Sequence, residues 1–543
     1  MACSMRGLPA VSSASRAGSD DMAAQRSGAP CQDGQKDVIA FLESGQAFDS
    51  RGIPRRIDTH CASIFLEGDR AWKIKRAVTF GYLDFSTPER RHDALETELR
   101  LNRRTAPQLY LAVHPISQRP DGRLKIGGLG ASIDWILEMQ RFPDDALLDE
   151  KAAHGHLDER MLMALADQIA AFHAAAEVFA TDSGSARFQS VVEGNVDSMA
   201  RCPDILDPEQ SSLLGRRLLD LTAKMASLLD ARSARGRVRH AHGDLHLANI
   251  ALIEGRPTLF DCLEFSTELA TIDVLYDLAF LLMDLWHRNL RTEASLVFNR
   301  YLDVSGEDED GVALMPLFLS VRAAIRAHVL AARAMRAGAD RSTADNARSY
   351  LDLAFALLQT ARPRLVAIGG LSGTGKSSLA RALGGGIGRA PGARILRNDV
   401  LRKHLAGLPP EERLPRDSYS DQAAASVYDC ADKLAFAALS CGQSVIVDAV
   451  FAQRSHRLEI EAIADRAGVP FNGLWLEAAP DTRLRRVEGR GVDASDADVA
   501  VARAQGDLTI GDLGPWRCVH ATGPLEHIAA TARGILGSQV DGV

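Results

Sequence analysis

Two stretches of this chain gather the residue types that phosphate chemistry needs. The first is His242-Gly-Asp-Leu-His-Leu-Ala-Asn249, followed by Thr258-Leu-Phe-Asp-Cys-Leu-Glu264. Asp244 and Asn249 stand five positions apart, the spacing between base and metal ligand in a kinase catalytic loop. Asp261 ends a short apolar run, where a second magnesium-binding carboxylate belongs. One carboxylate orients and deprotonates an acceptor hydroxyl, while an amide and another carboxylate hold Mg²⁺ against a triphosphate. A lone Asp in a loop is ordinarily a turn or cap residue. The order and spacing of the set are what point to chemistry.

The second stretch is Gly370–Ser378, G-L-S-G-T-G-K-S-S, which fits G-x-x-x-x-G-K-[ST] with Gly370, Gly375, Lys376 and Ser377 in the fixed places. Gly373 and Gly375 allow backbone conformations that turn N–H groups inward, and Ser372, Thr374 and Ser378 complete the loop. The helix that follows adds the positive end of its dipole. Lys376 would neutralise the β- and γ-phosphates of ATP and Ser377 would hold Mg²⁺. Further on, Ser444-Val-Ile-Val-Asp448 is a buried strand ending in Asp448, a supporting carboxylate for that Mg²⁺. Arg394-Ile-Leu-Arg-Asn-Asp399 ends another strand at Asp399, followed by Arg402. Strand C-termini are where α/β sheets bind ligands. Arg483, Arg486 and Arg490 lie along one helix-like stretch.

The elements that must position these residues differ at the two ends of the chain. Residues 1–36, rich in Ser, Ala, Gly and Arg, read as a disordered tail. Residues 37–145 give a short helix, a hairpin (Cys61–Leu66 and Ala71–Lys75), a charged helix opened by Thr87 and Pro88, and two further strands. Residues 146–345 have helical spacing nearly throughout, and 346–363 read as a helical junction ended by Pro363. From 364 to 543, strands at Leu365–Gly369, Arg394–Arg397, Ser444–Val447 and Asn472–Leu476 alternate with helices, which implies a parallel sheet covered on both faces.

H-G-D-L-H-x-x-N with the following F-D-x-x-E-F resembles the aminoglycoside phosphotransferase branch of the protein-kinase-like fold. The resemblance implies a small sheet lobe and a helical large lobe with ATP between them. It implies Asp244 as catalytic base, Asn249 and Asp261 as Mg²⁺ ligands, and His242 and Asp277 as supports of the loop. Ala71-Trp-Lys-Ile-Lys-Arg76 is similar to the strand carrying the phosphate-binding lysine. Lys73 is favoured, but Lys75 points the same way along a strand. Its partner would be Glu98 rather than Glu96, and Ile136–Phe142 would be the hinge that meets adenine. The turn Glu67-Gly-Asp-Arg70 stands where protein kinases carry a G-x-G-x-x-G loop, and no A-P-E segment for peptide substrates follows.

The downstream half resembles the small-molecule and polynucleotide kinase branch of P-loop proteins. That likeness implies Asp399 as a base, Arg402 as an acceptor clamp, and Arg486 with Arg490 as the lid over ATP. The chain as a whole is similar to bacterial fusions of an aminoglycoside phosphotransferase-like domain with an ATP-binding P-loop domain. Two ATP- and Mg²⁺-dependent transfers to small-molecule acceptors are therefore expected. The alternatives are an ATP-sensing kinase-like domain and an aminoglycoside-resistance kinase. Against the last, Leu319–Ala334 carries Arg322, Arg326 and Arg333, which would suit an anionic acceptor if they line the cleft.

At 543 residues the chain is too long for one core, and 46% apolar with 25% charged residues is ordinary globular composition. A net charge of −8 argues against a general nucleic-acid or anionic-membrane partner. Eight scattered cysteines without a C-x-x-C pair read as reduced thiols of a cytoplasmic protein. No apolar run approaches the roughly 20 residues that span a bilayer.

Overall fold

The computed structural model describes residues 35–537 apart from 49–51, 60, 81–82, 129, 182, 337–339, 490 and 492. Of the expected tail, residues 1–34 lie outside the described residues. Gln35 is buried, its amide bonding Lys75 O at 2.8 Å and Asp134 Oδ2 at 2.7 Å. The chain forms two compact units. One runs to Asp284 and takes in Leu317–Ala356; the other is Leu285–Pro316 with Leu357–Val543. The sequence division at 346 and 364 does not anticipate that Leu285–Pro316 belongs with the second unit.

In the first unit, strands β1 (Arg55–Asp58), β2 (Ala62–Glu67), β3 (Arg70–Lys75), the short pair β4 (Thr79–Phe80) and β5 (Leu83–Asp84), β6 (Tyr110–Gln118), β7 (Leu124–Ile126) and β8 (Ala131–Gln140) come first. Six of them form an antiparallel sheet in the order β1-β2-β3-β8-β6-β7. Alternation along β2 sorts the side chains by face. Ile64 and Leu66 pack with Leu95 and Leu99 of the Pro88–Asn102 helix, whereas Phe65 packs with Val38 and Leu42 of the Lys36–Glu43 helix. Thr87 caps the first of these helices and Pro88 opens it, as the sequence implies. A buried Arg91–Asp134 pair at 2.8 Å ties that helix to β8.

Helices follow, among them Glu159–Ala175, Gly184–Ala200 and Pro208–Lys224. Then come β9 (Val238–His240), β10 (Ile250–Ile253), β11 (Arg256–Leu259) and β12 (Thr271–Asp273). β10 and β11 form a hairpin and β12 pairs with β9, so the loop 241–249 is held between two small ladders. The stretch Glu309–Met335 is long and apolar enough to cross a membrane, contrary to the expectation above, but 89% of its apolar window is buried. That is the burial of a core helix.

In the second unit, β13 (Leu365–Gly370), β14 (Arg394–Arg397), β15 (Val445–Asp448), β16 (Phe471–Glu477) and β17 (Arg517–His520) make a parallel sheet in the order β14-β15-β13-β16-β17. The Lys376–Gly384 and Leu525–Gly537 helices cover one face, and Asp421–Ser440 with Arg454–Ala467 covers the other. The Arg291–Ser305 helix closes the β14 edge. Asn299 accepts from Ile395 N at 2.6 Å and donates to Ala393 O at 3.0 Å.

Candidate functional sites

The first site is built where β3, the Pro88–Asn102 helix and the loops around β9–β11 meet. Lys73 and Lys75 project from β3 to the same side. Lys73 Nζ lies 2.5 Å from Glu98 Oε1 and 3.1 Å from Asp261 Oδ1. Lys75 Nζ lies 2.7 Å from Glu98 Oε2 and 2.6 Å from Glu264 Oε1. Burial pushes the Glu98 carboxyl up, but the charges of both lysines outweigh it and hold it down. For Lys75, burial disfavours the charge, and Glu264 with Glu98 more than restores it, so its pKa is raised. Glu96 is half exposed and faces His92 at 3.6 Å.

Asp261 has φ +63°, a left-handed conformation uncommon outside glycine. Its backbone N–H bonds the buried Tyr110 hydroxyl at 3.2 Å, and the next amide, of Cys262, bonds Asn102 Oδ1 at 2.8 Å. Asn102 in turn donates to Glu98 O at 2.9 Å. The helix that carries Glu98 thus also holds the turn that carries Asp261.

The loop bearing Asp244 is fixed by backbone groups. Asp277 accepts from His242 N at 3.0 Å and Gly243 N at 2.9 Å, and faces His173 Nε2 at 3.1 Å. Burial raises the Asp277 carboxyl, yet its bond to His173 and nearby positive charge bring it to about 2. His242 Nε2 meets Phe260 O at 3.0 Å, and Leu247 N donates to Asp284 Oδ2 at 3.1 Å. Asn249 Nδ2 bonds both Asp244 O and Asp244 Oδ2 at 2.9 Å, and Phe260 N donates to Asn249 O at 3.0 Å. His246 Nε2 stands 3.5 Å from Asp244 Oδ2. Burial raises Asp244, but His246 first and then Arg326 and His242 hold the carboxyl below its ordinary value. Arg322 is buried at 3% exposure, donating to Gly243 O at 3.3 Å and Tyr276 O at 3.1 Å. It does not line a cleft.

The second site lies at the C-terminal ends of β13, β14 and β15. Gly370, Gly373 and Gly375 all have positive φ. Gly375 precedes the Lys376–Gly384 helix, and a Cβ on Gly373 would stand 2.5 Å from Arg483 O. Ser377 Oγ donates to Asp448 Oδ2 at 2.5 Å, and Lys376 Nζ lies 3.4 Å from Leu371 O. Ser372 O accepts from Arg483 Nε at 3.2 Å, while Arg486 reaches Thr374 O at 3.3 Å and Ala521 O at 2.9 Å. Ser378 continues the helix. A cavity of about 400 Å³ opens beside this loop, lined by Leu371, Thr374, Glu477, Ala479, Arg483 and Thr522 among others. Arg490 lies outside the described residues.

Asp399 follows β14; burial and neighbouring Asp448 push its carboxyl up against the pull of Ser495, Arg397 and Lys376. Arg397 pairs with Asp493 at 2.9 Å and approaches Asp448 at 3.8 Å. Arg402 is turned toward the chain itself, donating to Ser418 O at 3.1 Å and lying over the Tyr419 ring. Among the described residues no group of three or more His, Cys, Asp or Glu side chains converges as a metal cage.

The sequence reading missed the Lys75–Glu264 pair, the Tyr110 and Asn102 supports, and Asp284. Lys75 and Glu264 were in view within the quoted motifs; the others carry no local signal, because they act across 37 or more positions of sequence.

The Asp244 loop and the Gly370–Ser378 loop each fall within a match to a known family. A model of the phosphotransferase enzyme family matches residues 76–314, and a model of an AAA domain matches residues 365–508. The class is therefore a fusion of a kinase-like phosphotransferase domain with a P-loop kinase-type domain, and the chain is a phosphotransferase enzyme. The uncharacterized protein Rv2004c of Mycobacterium tuberculosis is 30% identical over 455 residues, covering 82% of this chain and 88% of the relative. The uncharacterized protein Mb2027c of Mycobacterium bovis matches to the same extent, 30% over 455 residues. The chain belongs to the family that these mycobacterial proteins represent. A choline/ethanolamine kinase family protein from Mesorhizobium loti aligns with 60% of this chain and 95% of its own at 12% identity and TM-score 0.39. A gluconokinase from Sinorhizobium meliloti aligns with 33% of this chain and 94% of its own at 19% identity and TM-score 0.25.

Proposed function

We propose that the chain carries two ATP-dependent phosphotransferase sites, each moving the γ-phosphate to a hydroxyl of a small acceptor. The observation that carries this reading is the convergence in the first site. Lys73 joins Glu98 and Asp261 within 3.1 Å, while Asn249 is bonded to Asp244 at 2.9 Å. Asp244, held ionised by its surroundings, orients the acceptor hydroxyl and takes its proton. Lys73, kept in place by Glu98, meets the phosphates. In the second site the Gly370–Ser378 loop cradles the triphosphate, Arg486 spans the loop beside it, and Asp399 serves as base.

Asn249 and Asp261 in the first site, and Ser377 with Asp448 in the second, are hard donors of the kind that would hold Mg²⁺. Two protein ligands per site suit a metal completed by phosphate oxygens and water. When bound it supplies charge neutralisation on the triphosphate. The scattered cysteines, with no C-x-x-C pair, support work in the cytoplasm.

The test is transfer from γ-labelled ATP into a small-metabolite extract, read by mass, with wild type beside Asp244→Ala and Lys376→Ala. Loss of a different phosphorylated product in each variant supports two sites. If only Lys376→Ala abolishes transfer, the kinase-like domain is an ATP sensor. Growth on aminoglycosides separates the resistance reading.

A further inference from the structure

The Pro480–Glu488 and Val499–Gly506 helices of the second unit grip the main chain of the Gly370–Ser378 loop from outside. Arg483 is 5% exposed, and its guanidinium donates to two main-chain carbonyls, Ser372 O at 3.2 Å and Ala502 O at 2.5 Å. One turn on, Arg486 donates to Thr374 O at 3.3 Å and to Ala521 O at 2.9 Å. Gln505, on the helix that carries Ala502, accepts from Ser372 N at 2.7 Å. These three side chains stand 111 to 133 positions along the sequence from the loop groups they hold.

A trans peptide is planar, with its C=O and N–H pointing opposite ways. Holding Ser372 O outward therefore turns the N–H of Gly373 inward, and holding Thr374 O does the same for Gly375. The positive φ of the two glycines, +85° and +93°, permits this course of the chain. Among the described residues neither N–H meets a protein acceptor. We propose that Arg483, Arg486 and Gln505 are positioning residues of the second site, bracing the loop's peptides from outside so that the amides of Gly373 and Gly375 face the nucleotide phosphates. This rests on the P-loop reading of that site. Loop amides of this kind cradle the α- and β-phosphates, so the brace serves ADP and ATP alike. An arginine placed on the γ-phosphate would serve ATP alone.

The experiment reads amide exchange of the loop in the full chain, first without nucleotide and then along titrations with ADP and with a non-hydrolysable ATP analogue, each with Mg²⁺. Without nucleotide, Gln505→Ala, Arg483→Ala and Arg486→Ala should each speed exchange at Ser372 about tenfold, while exchange in β15 stays as in wild type. The concentration that half-protects the loop should rise by one common factor for both nucleotides, about tenfold. Gln505→Glu keeps an acceptor and should keep the slow exchange, and Arg483→Lys should recover part of the loss. Arg485 is exposed and bonds Asp481 O of its own helix, so Arg485→Ala should change nothing. Should an arginine variant loosen β15 as well, Gln505→Ala, which removes a half-buried side chain, decides. Unchanged exchange without nucleotide, with the ATP analogue alone weakened, puts the arginines on the γ-phosphate and overturns the brace. Unchanged half-protecting concentrations in the Ala variants overturn it too. A wild-type loop that neither nucleotide protects overturns the P-loop reading and the brace with it.

Discussion

Lys73 Nζ lies 2.5 Å from Glu98 Oε1, on one oxygen of a carboxylate whose other oxygen faces Lys75 Nζ at 2.7 Å. Two lysines that share a strand face therefore share one glutamate, and they differ in what else they reach. Lys73 goes on to Asp261; Lys75 goes on to Glu264.

That difference separates their mutants. Lys73→Ala leaves Glu98 paired through Lys75 and takes the cation only from Asp261, at the longer 3.1 Å, so it should cost less stability than Lys75→Ala while transfer at the first site drops by about 100-fold or more. Lys75→Ala strands Glu264 in a buried setting and should cost roughly 3–5 kcal/mol of stability. Transfer in the Lys376→Ala background and urea unfolding read the two effects. Equal loss of activity with unchanged stability for both variants would contradict this division.

Asp277 gives a pH signature. Its folded pKa, about 2, lies below the ordinary aspartate value, because the His173 bond and nearby positive charge outweigh burial. A depressed carboxyl contributes stability that is present above its unfolded pKa and is lost as pH falls through the folded one. The contribution is roughly 2–3 kcal/mol above about pH 5 and shrinks toward pH 2. The stability gap between wild type and Asp277→Asn should follow that course. A gap that widens as pH falls through this window would reverse the assignment.

The Ser377–Asp448 contact, at 2.5 Å, makes a prediction about metal. In an Asp244→Asn background, Ser377→Ala should raise the Mg²⁺ concentration for half-maximal transfer about tenfold, as loss of one weak oxygen ligand would. Gly373→Ala should abolish transfer at that site with the metal dependence irrelevant, since its Cβ would fall 2.5 Å from Arg483 O at a backbone φ of +85°. A fully active Gly373→Ala chain would mean the loop does not close as described.

Much of this was legible because phosphate loops and catalytic loops are contiguous in sequence. Gly370–Ser378 and His242–Asn249 each carry their chemistry-bearing residues in one short run. Strand pairing was less so. β17 is an edge strand with only Val519 buried, so Arg517–His520 lacks the apolar run that marks a central strand. The choice between Lys73 and Lys75 was invisible because residues two apart on a strand share a face. Helical periodicity announces a buried stripe without naming the core it serves, and Leu285–Pro316 is the case in point.

That segment yields the last prediction. β14 ends the parallel sheet, so its outer backbone groups need partners. Asn299 supplies them, accepting from Ile395 N and donating to Ala393 O, and Arg394 is clasped by Asp303 at 2.8 Å and Glu309 at 2.6 Å. Removing the Asn299 amide leaves a buried N–H and a buried carbonyl unsatisfied, at about 1–3 kcal/mol each. Asn299→Ala should therefore speed amide exchange at Ile395 about tenfold or more. Arg394→Ala should do more damage, because it leaves two acidic side chains facing each other without their cation. Since β14 leads directly into Asp399, loosening it should also slow transfer at the P-loop site. Unchanged exchange at Ile395 in Asn299→Ala would show that the sheet edge is held by something other than this side chain.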